Sequence, residues 1–518
     1  MISYLKQKKI SINLMLNNRK FVFCTIIINI FFLFLIIAFQ SAKAEINKNL
    51  KPNIVIIVAD DLGYNDVSFN GSLEIKTPNI DRIARNGITF TKGYVTHSIC
   101  APSRASILTG KYHQKFGFER NPSAVEEVSG GIPRSEFNLA EVLKKSGYKT
   151  AAIGKWHLGV GSNYSPNHRG FDYFFGFERG GSNYYPELLT LNSYSEVTER
   201  FGWYKLKLIE NQKPIEIKSY LTDELSKAAV KFVNNHKDDP FFLYLAYNAP
   251  HTPMQADPNI YKTISNIKDP SRRTYAAMVK SLDIGVGKVL DALEKLKIDE
   301  NTMVIFLSDN GGPERTNFSD NGNLRGGKTS PYEGGIRVPI AIKWPLKYPS
   351  GVTFEKNISS LDFFATIIEA AKIDYSNKKD LDGVDLTPCL TKSECSALDR
   401  FLYFRDYDKG WKVVLAPHSV KIVTYPNSKF IKLSKNITET YNLNNDPSEK
   451  HPNHKNHEKH DKMTENYLKW EKGLKGPNYL GLGSEGFKQL STWFRIKRKI
   501  KYIFFNIERE LKYKIGIY

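Results

Sequence analysis

Four short apolar runs, each stopping abruptly at residues that bind ions or carry protons, constrain this chain more than any other feature. Run 53–59 stops at Asp60 and Asp61, and run 148–153 at Gly154, Lys155, Trp156 and His157. Run 241–246 leads to Asn248 and His251, and run 303–308 to Asp309 and Asn310. Continuous β-branched and aromatic runs of this length suit strands covered on both faces. Between them lie segments with helical spacing: 77–86, 138–146, 222–235 and 275–296. The last carries Met278, Leu282, Val286, Val289, Leu290 and Leu293 on one stripe. Alternating strands and helices predict an α/β domain with a mostly parallel central sheet flanked by helices. Ligands of such sheets bind beyond the carboxyl ends of the strands, so the four polar strand ends are expected to converge on one site.

After about residue 395 the pattern changes. Segments 400–405, 411–415, 419–424 and 429–433 read as short strands separated by turn residues, a smaller antiparallel subdomain. Four segments follow: a signal segment at 1–44, the α/β domain at 45–395, a C-terminal subdomain at 396–487 and a basic amphipathic tail at 488–518. The 518 residues suffice for two cores.

Charge is unevenly placed. The formal net charge is +20, of which residues 1–44 hold +6 and residues 488–518 hold +7, leaving about +7 on the body. That balance suits an anionic substrate and suits ordinary solubility equally. The first segment places Lys6, Lys8, Lys9, Arg19 and Lys20 before an apolar run, with Ala42, Lys43 and Ala44 after it. This is the form of a secretory signal, with an uncleaved membrane anchor as the alternative. Export to the periplasm or the medium is expected. The tail mixes Arg and Lys with Ile, Phe and Tyr, and can dock on an anionic membrane or pack on the body. Nothing calls for nucleic acid.

Cleavage near Ala44 would remove Cys24 and leave Cys100, Cys389 and Cys395. The last two can form a disulfide in an oxidising compartment, which leaves Cys100 unpaired and worth flagging as reactive. Pro102 follows Cys100 by two residues and Gly110 closes the segment, a helix frame that puts Cys100 at an anion-favouring N-terminus with Arg104 one turn along. Asp60, Asp61, Asp309 and Asn310 are hard oxygen donors, a set that suits Ca²⁺ better than Zn²⁺. His451, His454, His457 and His460 form a second histidine-rich stretch. Without another ligand type it reads better as a solvated surface than as a metal site.

The segment Cys100, Pro102, Ser103, Arg104, Thr109 and Gly110 resembles the signature of type I sulfatases. A second signature of that family is matched by Gly147, Tyr148, Thr150, Gly154, Lys155, Trp156, His157 and Gly159. The resemblance extends over roughly residues 50 to 450, through His251, Asp309 and Asn310, Lys328, Glu333 to Pro339, and the closing Tyr441 to Glu449. It implies an alkaline-phosphatase-like fold and hydrolysis of a sulfate ester, on a carbohydrate or polysaccharide. It also implies oxidation of Cys100 to formylglycine by a formylglycine-generating enzyme. The aldehyde hydrates to a diol, one hydroxyl attacks sulfur, and the carbonyl re-forms to expel sulfate. The same resemblance assigns one Ca²⁺ to Asp60, Asp61, Asp309, Asn310 and the modified Cys100, where it would stabilise charge. It sets Arg104, Lys155 and Lys328 around the sulfate, with His157 as base and His251 and Lys328 on the leaving oxygen. Glu333 and Arg337 read as a buried pair supporting the Lys328 loop. Segments 177–186 and 314–324 are candidates for sugar recognition; Tyr184 and Tyr185 in the first could stack on sugar or fill a tight loop. Two other readings remain: a phosphatase or phosphodiesterase of the same superfamily, and an inactive homologue that binds sulfated glycans.

Overall fold

The computed structural model describes Met1 and residues 51–122, 130–197, 202–426, 436–452 and 457–478. The rest of the signal segment and the basic tail lie outside the described residues. One compact unit begins at Pro52. Sixteen strands are present among the described residues. In chain order they begin with β1 (Asn53–Ala59), β2 (Ile88–Phe90), β3 (Gly93–Tyr94), β4 (Lys149–Lys155) and β5 (Tyr173–Phe177). Then come β6 (Leu208–Glu210), β7 (Lys213–Ile215), β8 (Phe241–Ala246), β9 (Thr302–Ser308), β10 (Ile340–Lys343), β11 (Val352–Phe354) and β12 (Ile358–Ser359). The last four are β13 (Leu402–Asp406), β14 (Trp411–Leu415), β15 (Val420–Pro426) and β16 (Asn436–Asn442).

Ten strands make the central sheet in the order β11-β2-β10-β9-β1-β8-β4-β5-β6-β7. The five middle strands, β9 to β5, run parallel, while β10 and β6 flank them antiparallel. All four apolar runs are therefore neighbouring parallel strands, and β1, β8 and β9 are buried at every position. Alternation along β1 divides the core. Val55 and Ile57 face Leu225, Leu282 and Val286 of the helices Leu221–Asn235 and Pro270–Lys295. Ile54, Ile56 and Val58 face Ala101, Ala105 and Leu108 of the helix Cys100–Thr109, with Phe363 and Ile367 of Asp362–Ala370 beyond. Truncating one of the leucines or isoleucines among them to Ala should cost about 2–5 kcal/mol.

The helix expected at 275–296 starts at Pro270, because the Asp269 carboxylate accepts the Arg272 N–H at 2.7 Å and fixes the first turn earlier. The helix expected at 77–86 covers only Ile80–Arg85; Thr77 to Asn79 form the approach to it.

Strands β13 to β16 form a separate antiparallel sheet. Its fourth strand is β16; the strand expected at 429–433 lies outside the described residues. One face sets Leu402, Phe404, Val413 and Val423 against Tyr94, Tyr332 and Ile336 of the larger body. The other sets Val414 and Ile422 against Met463 and Tyr467 of the helix His457–Lys472.

Candidate active site

Parallel register places the polar strand ends side by side. Ala59 is level with Ser308, and Val58 and Gly154 are both level with Ala246. Asp60, Asp309 and Lys155 therefore leave the sheet along one edge, and the N–H of Asp309 donates to Ala59 O at 3.1 Å. Two residues turn there in left-handed conformations, Asp61 at φ 66 and His157 at φ 59. Such geometry costs on the order of 1–3 kcal/mol each and persists only where the surroundings impose it. Gly154 makes the strand end possible: at φ 105, a Cβ there would lie 1.9 Å from Ala246 O. Gly180 makes room for the His157 ring, which a Cβ would meet at 2.9 Å.

Cys100 opens the helix that runs to Thr109, as the Pro102 and Gly110 frame predicts; Gly110 closes it in the left-handed region. The Cys100 thiol is buried and 3.6 Å from Asp60 Oδ1. Burial pushes it up to about 12, against the partial offset of Lys155 and Lys328. The helix N-terminus is less open than expected: the Asn121 side chain accepts the Ala101 N–H at 2.9 Å. Arg104 turns back beneath the cysteine. Its Nε donates to Asp309 Oδ2 at 2.7 Å, and its Nη1 to Lys155 O at 3.1 Å.

Each acid has a cation beside it. Lys155 Nζ lies 2.7 Å from Asp60 Oδ2, and Lys328 Nζ 2.7 Å from Asp61 Oδ2. Burial raises the Asp60 carboxyl to about 7, with Lys155 opposing. Burial acts the same way on Asp61 and Asp309, but neighbouring cations, led by Lys328 and Arg104 respectively, outweigh it and hold both below the usual carboxylate range. His251 Nε2 approaches Asp61 Oδ2 at 3.6 Å, while its Nδ1 is 2.6 Å from Thr252 O. Burial drives both His157 and His251 toward the neutral form, His251 to about 3. Lys328 keeps its proton because Asp61, Cys100 and Asp60 outweigh its burial.

These residues could hold a cation. One ligand atom from each of Asp60, Asp61, Cys100 and Asp309 falls within 4.8 Å of the others, all buried. Asn310 donates its amide to Asp61 Oδ1 at 2.7 Å, and its own Oδ1 is buried without a hydrogen-bond partner. A buried acceptor left open costs about 1–3 kcal/mol, a cost a bound cation would remove. The donors fit a hard divalent ion. The structure thus brings together Cys100, Arg104, Lys155, His157, His251, Lys328, Asp60, Asp61, Asp309 and Asn310.

Other expectations change on inspection. Glu333 and Arg337 are 3.6 Å apart, but the main partner of Glu333 is Lys421 on β15, at 2.9 Å. Lys421 also meets Glu449 at 2.8 Å, and the Tyr94 hydroxyl donates to Glu333 at 2.9 Å. Tyr184 is no sugar platform: it is fully buried and donates to the carbonyls of Asn248 and His251. Segment 314–324 turns inward in part, with Asn317 donating to Asp61 O at 3.0 Å. His451 is exposed and His460 lies 3.7 Å from Asp461; His454 and the side chain of His457 are outside the described residues. Cys389 and Cys395 form a disulfide, and Cys100 is free. Sequence reasoning missed Asn121 and Lys421 and gave Glu449 no role, because all three act only through residues distant in the chain.

The chain is similar to known proteins in sequence and fold. The Sulfatase family model matches residues 52–373, and the model described as N-sulphoglucosamine sulphohydrolase, C-terminal, matches residues 327–472. An uncharacterised sulfatase of Escherichia coli (strain K12) is 34% identical over 392 residues, 66% of each chain. The N-acetylgalactosamine-6-sulfatase of Homo sapiens is 32% identical over 392 residues, 73% of this chain and 72% of that one. Among solved structures, Ps i-CgsB in complex with k-i-k-neocarrahexaose superposes with a TM-score of 0.75 at 36% identity, covering 85% of this chain and 96% of that one. The PsFucS1 sulfatase from Pseudoalteromonas sp. gives 0.66 at 25% identity, covering 84% and 93%.

Proposed function

The chain belongs to the sulfatase family, a group of sulfuric ester hydrolases, and from that premise we propose that it cleaves a sulfate ester on a glycan with formylglycine made from Cys100 and a bound Ca²⁺. One observation carries the reading: one ligand atom each from Cys100, Asp60, Asp61 and Asp309 falls within 4.8 Å of the others, all buried. Formylglycine would supply a hydrated aldehyde able to attack sulfur and then release sulfate by re-forming its carbonyl. Ca²⁺, held by Asp60, Asp61, Asp309 and Asn310, would supply positive charge against the nucleophile and the sulfate oxygens.

The remaining work falls to side chains of this chain. Arg104 and Lys155 sit behind the nucleophile and offset charge on the sulfate. His157, kept neutral by burial, is suited to take the proton from the modified Cys100 when sulfate leaves. Lys328 has 15% of its side chain exposed, so it reaches the open side of the site and can serve the leaving oxygen. His251 flanks the same place, with Nδ1 tied to Thr252 O and Nε2 turned inward.

A glycan substrate is favoured by two relatives, one called an N-acetylgalactosamine-6-sulfatase and one solved with neocarrahexaose. Export to the periplasm or the medium is favoured by the N-terminal segment and by the Cys389–Cys395 disulfide. Mass analysis of the Cys100 peptide from the native host should find the aldehyde; an unmodified thiol refutes the mechanism. Sulfate release from a panel of sulfated oligosaccharides then names the sugar, and activity that survives thorough calcium removal refutes the ion.

A further inference from the structure

Thr329, the residue after Lys328, holds a left-handed backbone at φ 68, unusual for a β-branched side chain. Two contacts from opposite sides hold its peptide groups. Its N–H donates to Ser98 O at 2.8 Å, two residues ahead of Cys100. Its carbonyl accepts the ammonium of Lys409, in the turn between β13 and β14. That turn is itself anchored. Asp408 pairs with Arg120, and the guanidinium groups of Arg120 and Arg405 lie 5.8 and 5.6 Å from the Tyr407 ring centre. Lys409 Nζ also lies 3.5 Å from Asp406.

We propose that Lys409 is a positioning residue for Lys328. Its charge-assisted hydrogen bond to the Thr329 carbonyl fixes a peptide that would otherwise relax out of the left-handed region. Lys409 holds the Thr329–Ser330 peptide and Ser98 the Lys328–Thr329 peptide, so fixing Thr329 between them sets where the Lys328 stem leaves the backbone, and so where its ammonium meets Asp61 and the leaving oxygen. The C-terminal sheet thereby acts on the reaction through one lysine. The inference rests on the reading of Lys328 given above.

The test compares a carbohydrate sulfate, whose alkoxide needs a proton, with para-nitrophenyl sulfate, whose leaving group does not. Lys409→Met should lower kcat on the carbohydrate sulfate roughly 10- to 100-fold, leave KM little changed and nearly spare the aryl sulfate. Lys409→Arg, able to donate to the same carbonyl, should restore most of the loss. Lys328→Ala is the reference and should show the same leaving-group selectivity. If it shows none, the role of Lys328 falls and the inference falls with it. If Lys328→Ala is selective but Lys409→Met slows both substrates equally, or raises KM alone as a substrate contact would, the inference alone is overturned. Should Lys409→Met fail to fold, Lys409→Gln, too short to reach the Thr329 carbonyl, removes the same contact: selective loss on the carbohydrate sulfate supports the inference, and unchanged kcat overturns it.

Discussion

Two of the buried charge clusters among the described residues differ in what they leave open. At the strand ends, Asp60, Asp61 and Asp309 face Arg104, Lys155 and Lys328. At the junction with the C-terminal sheet, Glu333 and Glu449 face Lys421. Both are nearly inaccessible to solvent. The junction cluster is tied internally: Lys421 bridges two carboxylates, Tyr94 donates to Glu333, and Glu449 Oε2 accepts the Glu333 N–H at 2.7 Å, which leaves Glu449 Oε1 its 2.8 Å ion pair with Lys421. The strand-end cluster carries a thiol among converging carboxylates and an Asn310 carbonyl without a hydrogen-bond partner. Charge density alone does not separate scaffold from site; unfilled coordination does.

Four measurements can break or sharpen that contrast. Cys100→Ala should cut sulfate release by on the order of 10⁴-fold or more while melting stays within a few degrees of wild type. Retained activity with lost stability would make the strand-end cluster a scaffold like the other. Lys421→Ala should do the reverse, destabilising the fold by about 3–5 kcal/mol in urea unfolding, because two buried carboxylates lose their cation. A loss below about 1 kcal/mol would rank it with surface pairs.

The third concerns pH. Burial, with Lys421 opposing and Glu333 adding to it, raises Glu449 from 4.5 to about 7. The folded chain then holds a proton that the unfolded chain has released. The stability this supplies is complete below pH 4.5 and lost as pH rises through 7. Stability should fall by up to about 1.4 kcal/mol per pH unit across that window. Glu449→Gln should remove this part of the slope, and melts at matched pH values check it. The smallest effect is at Asn310. Asn310→Ala should weaken calcium binding at least about tenfold, read by calorimetry and by a smaller calcium-induced rise in melting temperature. An unchanged titration would take Asn310 out of the ligand set.

Legibility in the sequence followed contact range. Strands β1, β4, β8 and β9 could be read because burial on both faces leaves uninterrupted apolar runs. The helix at Cys100 could be read because Pro102 and Gly110 punctuate it locally. Asn121 could not: it caps Ala101 from a loop without pattern. Tyr184 was ambiguous because an aromatic in a glycine-rich loop looks the same whether it meets sugar or backbone carbonyls. Glu333 was rightly placed as scaffold with an incomplete partner, since Lys421 lies 88 residues away.

The sequence by itself determined the chemistry available: which acids, cations and histidines stand at strand ends, that a cysteine opens the helix beside them, and the local signals that put them there. Only the tertiary structure decided which of them meet. Parallel register aligned Ala59 with Ser308 and Gly154 with Ala246, so acids from different strands share one edge. Docking of the second sheet decided that Glu333 is closed by Lys421 and that Lys409 reaches Thr329. Local patterns carry periodicity and turn preference, whereas these contacts come from packing between segments that hold no information about each other until the core forms.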